Sequence, residues 1–192
     1  MNRPDKVEKR VDLNNPNYQT ATFAGGCFWC MEPPYDDLEG IVSTTVGYAG
    51  GQKSNPTYEE VCTGKTGHAE AVQIVFDSTK ISYENLLQVF WRNINPTDPY
   101  GQFADKGSQY RTAIFYHDEK QKELAEKSKK ELDASGKFDN PIVTEVVPAQ
   151  EFYAAEEYHQ EFYKNHPLRY SSYKMGSGRA GFLKKVWGEE KK

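Results

Sequence analysis

The stretch Ala69-Glu70-Ala71-Val72-Gln73-Ile74-Val75-Phe76 runs through a short polar turn into Ile81-Ser82-Tyr83-Glu84-Asn85-Leu86-Leu87-Gln88-Val89-Phe90. Its first half alternates, so Glu70, Val72, Ile74 and Phe76 share one face of a strand. Its second half places Tyr83, Leu86, Leu87 and Phe90 on one helical stripe. Ser82 stands as N-cap, with Ile81 and Leu86 at the hydrophobic-staple positions around it. A strand followed at once by a core-facing helix sets the style of the whole chain.

Upstream, Ile41 to Tyr48 reads as a strand, and a helix is expected between Phe28 and Leu38, with Gly40 as its stop. Pro33-Pro34 leave open whether that helix starts late or kinks. Thr20 to Ala24 is a further short strand, ended by Gly25-Gly26. Downstream, Gln109 to Tyr116 alternates as a strand, and Asp118 caps a charged helix ending near Gly136. Ile142 to Val147 reads as a strand and Ala155 to Asn165 as a final amphipathic helix. The order β-α-β-β-α-β-α-β-α contains a split βαβ and predicts an α+β fold, a two-layer sandwich.

Residues 1–18 are polar and proline-punctuated and are expected to form a mobile arm. Residues 19–174 read as one catalytic domain. Residues 175–192 read as a tail without cysteine, draped over the domain through Phe182, Leu183 and Trp187. Both termini are thus expected to be extended and loop-rich.

With 24 Lys+Arg against 28 Asp+Glu in 192 residues, the net charge is −4, and no basic block suits a phosphate backbone. The longest apolar run, Cys27 to Met31, is far short of the roughly 18–20 residues that cross a bilayer. The first residues lack the apolar core of a secretory signal. A cytoplasmic protein is expected, binding neither nucleic acid nor membrane. Aromatics make up 14% of the chain, with 13 Tyr, which predicts an aromatic-rich core. The three cysteines, Cys27, Cys30 and Cys62, fit neither a secreted disulfide framework nor a four-thiolate zinc site.

Gly25-Gly26-Cys27-Phe28-Trp29-Cys30 places a cysteine where a strand ends and a helix should begin. Unpaired N–H groups there favour a thiolate, which makes Cys27 the candidate nucleophile. Cys30 stands within reach to close a disulfide with it after oxidation. The competing reading is two packed apolar cysteines. In Thr66-Gly67-His68-Ala69-Glu70-Ala71, Glu70 lies at the mouth of an apolar face, where desolvation keeps a carboxyl protonated and fit to be a general acid. An edge carboxylate facing water is the alternative.

Tyr58 and Tyr110 offer phenols suited to gripping a polar oxygen, although any one of thirteen tyrosines can be structural. His68 is expected to be structural, and Gly47-Tyr48-Ala49-Gly50-Gly51 a flexible loop. His68-x-Glu70 with Cys27-x-x-Cys30 supplies the residue types of a zinc nucleobase deaminase, but in the wrong order and without the preceding proline. A non-catalytic, aromatic-rich peptide-binding module is the other alternative.

Taken together, Gly26-Cys27-Phe28-Trp29, Gly47-Tyr48-Ala49-Gly50-Gly51, Asn55-Pro56-Thr57-Tyr58, Gly67-His68-Ala69-Glu70-Ala71 and Gly107-Ser108-Gln109-Tyr110-Arg111 closely resemble the signatures of the A-class peptide methionine sulfoxide reductases. Ala154 to Gln160 is similar to a further family motif, and the whole resemblance spans about residues 20–167 in family order. It implies a ferredoxin-like core, Cys27 as nucleophile and Glu70 as proton donor. It further implies that Tyr58 and Tyr110 grip the sulfoxide, that Asp105 supports them, and that Phe28 and Trp29 cradle the substrate methyl.

The reaction so implied is reduction of the S epimer of methionine sulfoxide, free or in proteins, as part of oxidative-stress repair. It passes through a Cys27 sulfenic acid and a Cys27–Cys30 disulfide, recycled by thioredoxin or a similar dithiol, with no metal or organic cofactor. Cys30 resembles the subgroup whose resolving cysteine lies inside the motif, since the tail has none. Cys62 matches a position generally regarded as dispensable.

Overall fold

The computed structural model describes residues 15–188, so residues 1–14 of the predicted arm and 189–192 of the predicted tail lie outside the described residues. The chain runs β1 (Tyr18–Gly25), α1 (Phe28–Met31), α2 (Pro33–Asp36), β2 (Ile41–Ala49), α3 (Tyr58–Cys62), β3 (Ala69–Asp77) and α4 (Tyr83–Trp91). It continues with the two-residue strands β4 (Gly101–Gln102) and β5 (Asp105–Lys106), a 3-10 turn at Ser108–Tyr110, β6 (Thr112–Tyr116), α5 (Glu119–Ala134) and β7 (Glu145–Pro148). Then follow β8 (Tyr153–Ala154), a 3-10 turn at Glu157–His159, α6 (Phe162–Asn165), α7 (Pro167–Gly176) and α8 (Arg179–Trp187).

Six strands form a sheet in the order β7-β6-β1-β3-β2-β8. Every neighbouring pair is antiparallel except β6 and β7. The fold is α+β. Alternation along β3 sorts its side chains as the sequence predicts. Val72, Ile74 and Phe76 are fully buried in the main core with Phe23, Met31 and Tyr35 and with Leu86, Leu87 and Phe90 of α4. Burying such side chains stabilises by about 1.5–3 kcal/mol each before chain entropy is counted. The opposite face carries small residues, Ala24, Ala69, Ala71 and Ala113, under Phe115, Val147 and Phe152. Ser82 caps α4 by accepting from Asn85 N–H at 3.2 Å, and Asp118 caps α5 by accepting from Gln121 N–H at 2.8 Å.

Several predicted elements take another form. The helix expected over 28–38 is broken at Glu32 into α1 and α2, because Pro33 and Pro34 bring no N–H to continue the ladder. Ser108–Tyr110 is a 3-10 turn, so the strand expected from Gln109 begins at Thr112. The strand expected over 142–147 is paired only from Glu145. Gly47 to Ala49 belongs to β2 rather than to a flexible loop. A Cβ on Gly47 would lie 2.2 Å from the Tyr153 carbonyl oxygen, so this glycine serves close backbone approach.

The final helix expected over 155–165 is absent as such. Its polar side chains are drawn into tertiary bonds: Gln160 accepts from Val46 N–H and donates to the carbonyls of Val46 and Ala155, each at 2.9 Å. Glu161 adopts the left-handed region at φ 48°, which separates a 3-10 turn at Glu157–His159 from a single α-helical turn at Phe162–Asn165. Among the described residues the C-terminal segment from Pro167 to Trp187 is helical rather than loop-rich, and the boundary drawn at residues 174 and 175 falls inside α7.

Candidate active site

β1 delivers the chain to Gly26, whose φ of +83° suits glycine, and a Cβ there would meet Gln102 Cβ at 2.6 Å. Cys27 follows as the residue before α1. The next N–H, that of Phe28, donates to Glu70 Oε2 at 3.0 Å, tying the start of β3 to the cysteine turn. Glu70 is 1% exposed. Burial pushes its carboxyl up to about 8, against the pull of the Phe28 N–H and with help from Asp105 and Cys30. The desolvated carboxyl expected from the strand pattern is therefore present.

The cysteines depart from expectation. Both are buried free thiols. Burial pushes the Cys27 thiol well up, and its hydrogen bond to Cys30 and the nearby Glu70 push the same way. One helical turn offers too little to offset this, so the lowered Cys27 expected from a helix start is not found. Cys30 is instead lowered to about 7. The Cys27 hydrogen bond is the main cause, burial opposes it, and the positive charges of Arg179 and Lys174 assist. The two thiols share a hydrogen bond and titrate as a pair.

Tyr58 opens α3, where its N–H donates to Glu156 Oε1 at 2.9 Å. The other oxygen, Oε2, accepts from Tyr48 OH at 2.7 Å, so Glu156 clamps β2 and α3 together. The Tyr58 phenol is kept protonated by burial and by Glu70, and it hydrogen-bonds Cys62. Tyr110 closes the 3-10 turn, where burial and Glu70 act on it in the same way. Asp105, in β5, accepts a hydrogen bond from Tyr173 OH. Phe28 is fully buried behind the turn, 5.0 Å from the His159 ring. Trp29 is half-buried, stacks on Phe162 at 3.7 Å and donates from Nε1 to His159 Nδ1 at 3.1 Å.

Three groups at the site carry no assignment in the sequence reading. Tyr173 of α7 hydrogen-bonds both Asp105 and Cys27. With one proton to give, its phenol donates either to the carboxylate or to a Cys27 thiolate. Glu156 and His159 sit in the Ala154–Gln160 motif, which signals their importance without giving their roles. Burial holds the His159 ring below its ordinary value, so it stays neutral as the acceptor from Trp29.

His68 is structural, as expected. Its Nδ1 accepts from Gly51 N–H at 3.1 Å and its Nε2 donates to the Lys53 carbonyl at 2.8 Å. Neither nitrogen is left to complete a zinc site with Cys27 and Cys30. Among the described residues no cluster of three His, Cys, Asp or Glu side chains could hold a metal, and no helix is long and apolar enough to cross a membrane. What the site offers is a proton donor and a proton-sharing pair of thiols, enclosed by aromatic rings.

Comparison with known proteins adds to this geometry. Residues 19–191 match the family described as "Peptide methionine sulfoxide reductase". A Bacillus subtilis protein named "Peptide methionine sulfoxide reductase MsrA" is 59% identical over 170 residues, 88% of this chain and 96% of the relative. Its Bacillus licheniformis namesake is 57% identical over 172 residues, 90% and 95% of the two chains. Among solved structures, reduced Mxr1 from Saccharomyces cerevisiae superposes with a TM-score of 0.77 at 33% identity, covering 83% of this chain and 92% of its own. Mxr1 in complex with Trx2 gives 0.57 at 26% identity, covering 80% and 91%.

Proposed function

The chain belongs to the peptide methionine sulfoxide reductase family, and from that premise we propose how its site performs the reaction. It is an oxidoreductase that reduces methionine sulfoxide to methionine. The observation that carries the mechanism is buried Glu70, bonded to the Phe28 N–H and holding its proton up to about pH 8 beside the cysteine turn. Sulfoxide oxygen leaves poorly unless it is protonated. Glu70 supplies the proton while Tyr58 and Tyr110, aided by Asp105, hydrogen-bond the oxygen.

Cys27 gives its proton to the Cys30 thiolate as its sulfur attacks the substrate sulfur. The substrate S–O bond breaks and the oxygen passes to Cys27, leaving methionine and a Cys27 sulfenic acid. The substrate sulfur gains two electrons and the Cys27 sulfur loses two. Cys30 then attacks the sulfenic sulfur; an S–S bond forms and the oxygen leaves as water. Trp29, backed by Phe28, walls the substrate methyl, and this one-sided wall selects the S epimer.

A thioredoxin-type dithiol exchanges with the resulting disulfide, a reading supported by the Mxr1 complex with Trx2. No metal or organic cofactor enters these steps. Cys30 within Gly26-Cys27-Phe28-Trp29-Cys30 supports membership of the subgroup that resolves inside the motif. The antiparallel order β6-β1-β3-β2 supports reading the core as ferredoxin-like. Recycling by a dithiol suits a reducing compartment, and the cytoplasm is the proposed location.

The test is an assay on separate S and R epimers of a methionine-sulfoxide peptide with dithiothreitol and no added metal. Turnover of the S epimer alone is expected. Equal turnover of both epimers contradicts the one-sided wall.

A further inference from the structure

Arg179 is the first residue of α8, and its side chain is 2% exposed. Its guanidinium reaches back to the cysteine turn across 154 residues of sequence, where Nη2 donates to the Gly25 carbonyl at 2.9 Å. Nη1 donates to the Asn93 carbonyl and lies 3.7 Å from Met31 Sδ. The cation also sits over the Phe103 ring at 4.7 Å. A Cβ on Gly26 would come within 3.0 Å of Nη2, so this glycine leaves room for the cation. Gly25, Gly26 and Met31 bracket Cys27 and Cys30, so the guanidinium is bound to both ends of the segment that carries the two thiols.

All of its hydrogen-bond acceptors are neutral. No carboxylate among the described residues forms an ion pair with it. The nearby Asp105 is engaged by Tyr173. A charge removed from water to this degree needs a counter-charge, and the ionising group that faces it is the cysteine pair. We propose that Arg179 is a positioning residue for that pair, a fixed cation that α8 plugs against the Gly25–Met31 turn and that stabilises the pair's shared negative charge. This rests on the mechanism above, in which Cys30 accepts the Cys27 proton and later attacks the sulfenic sulfur. The groups that face Cys30 are Cys27 from its own turn, Arg179 from α8, Lys174 and Tyr170 from α7, Asp105 from β5 and Glu70 from β3. Of these cations Arg179 alone is buried; Lys174 is exposed and screened by solvent.

The test reads thiol ionisation directly and so does not depend on sulfoxide turnover. Alkylation of Cys30 by iodoacetamide is followed by mass spectrometry from pH 5 to 10, in the wild type, Arg179→Gln and Arg179→Lys. Arg179→Gln is expected to move the midpoint for Cys30 upward, with a roughly tenfold loss of labelling rate at pH 7, and Arg179→Lys to restore most of it. A folded Arg179→Gln variant with an unchanged midpoint overturns the proposal. Should Arg179→Gln fail to fold, the wild-type midpoint decides. A Cys30 midpoint below the ordinary thiol value of 9.0 supports the proposal, and one at or above that value overturns it. A protein inactive on sulfoxide that still shows the shifted midpoint would count against the mechanism but not against the role of Arg179.

Discussion

The two halves of the site are assembled differently. Cys27, Cys30, Glu70 and Tyr110 come from turns and strand ends around β1 and β3, and one hydrogen bond, Phe28 N–H to Glu70, joins the cysteine turn to the carboxyl. Glu156, His159 and Gln160 come from short turns, and Tyr173 and Arg179 from the C-terminal helices α7 and α8. That second half holds the first in place. Glu156 clamps Tyr48 and Tyr58, His159 orients Trp29, Tyr173 meets Asp105 and Cys27, and Arg179 lies under the turn. The thiols and the carboxyl are thus held by the sheet, and their surroundings by segments packed against it.

Substitutions in the two halves should differ in kind. Cys27→Ser should abolish turnover with any reductant, since no other thiol occupies the attacking position. Residual turnover in a metal-free assay would break the division at its root. Cys30→Ser should yield about one methionine per chain and then stall, counted in a single-turnover assay with thioredoxin as reductant. Sustained thioredoxin-dependent turnover would remove Cys30 as resolving residue.

Glu70→Gln should lower kcat/KM by roughly 10²–10⁴-fold, and an unchanged rate would sink the general-acid role. The same variant has a stability signature. The Glu70 carboxyl stands near 8 in the folded chain, above its ordinary value of 4.5, so between those values the native state binds more protons than the unfolded one. Wild-type stability should therefore fall as pH rises from about 4.5 to 8, by on the order of a few kcal/mol, and the glutamine variant should lose the Glu70 share while keeping that of Glu32, which burial raises to about 7. Urea titrations at pH 5 and pH 9 make the comparison.

In the supporting half, Gln160→Ala leaves the buried Val46 N–H without its acceptor and should cost about 1–3 kcal/mol of stability. Urea unfolding measures that loss. If stability is unchanged, the segment from Ala155 to Asn165 is not held to β2 by this side chain.

The same division explains what the sequence discloses. β3 and α4 are legible because Val72, Ile74, Phe76 and Leu86, Leu87, Phe90 bury one face of each element, and no competing partner draws them away. Glu70 is legible as a desolvated carboxyl because it shares that face. Residues 155–165 carry an equally plausible helical stripe. There Glu156 and Gln160 gain more from Tyr48, Tyr58 and Val46 than from a regular helix, and local periodicity gives way to tertiary bonding. Tyr173 and Arg179 have no local pattern that sets them apart from other tyrosines and arginines, because their partners lie far along the chain. The charge state of Cys27 is misjudged from sequence for a related reason: burial and the hydrogen bond to Cys30 outweigh a single helical turn.

Because Cys27 and Cys30 are hydrogen-bonded and titrate together, the identity of the attacking sulfur is the point on which the mechanism turns. The direct measurement is to treat the Cys30→Ser variant and the wild type with one equivalent of an S-sulfoxide peptide, trap sulfenic acid with dimedone, and locate the adduct by mass spectrometry. An adduct on Cys27 in the variant, replaced by a Cys27–Cys30 disulfide in the wild type, is the predicted result. No adduct on Cys27 in a folded variant, with the wild-type adduct on Cys30, would contradict it and make Cys30 the nucleophile.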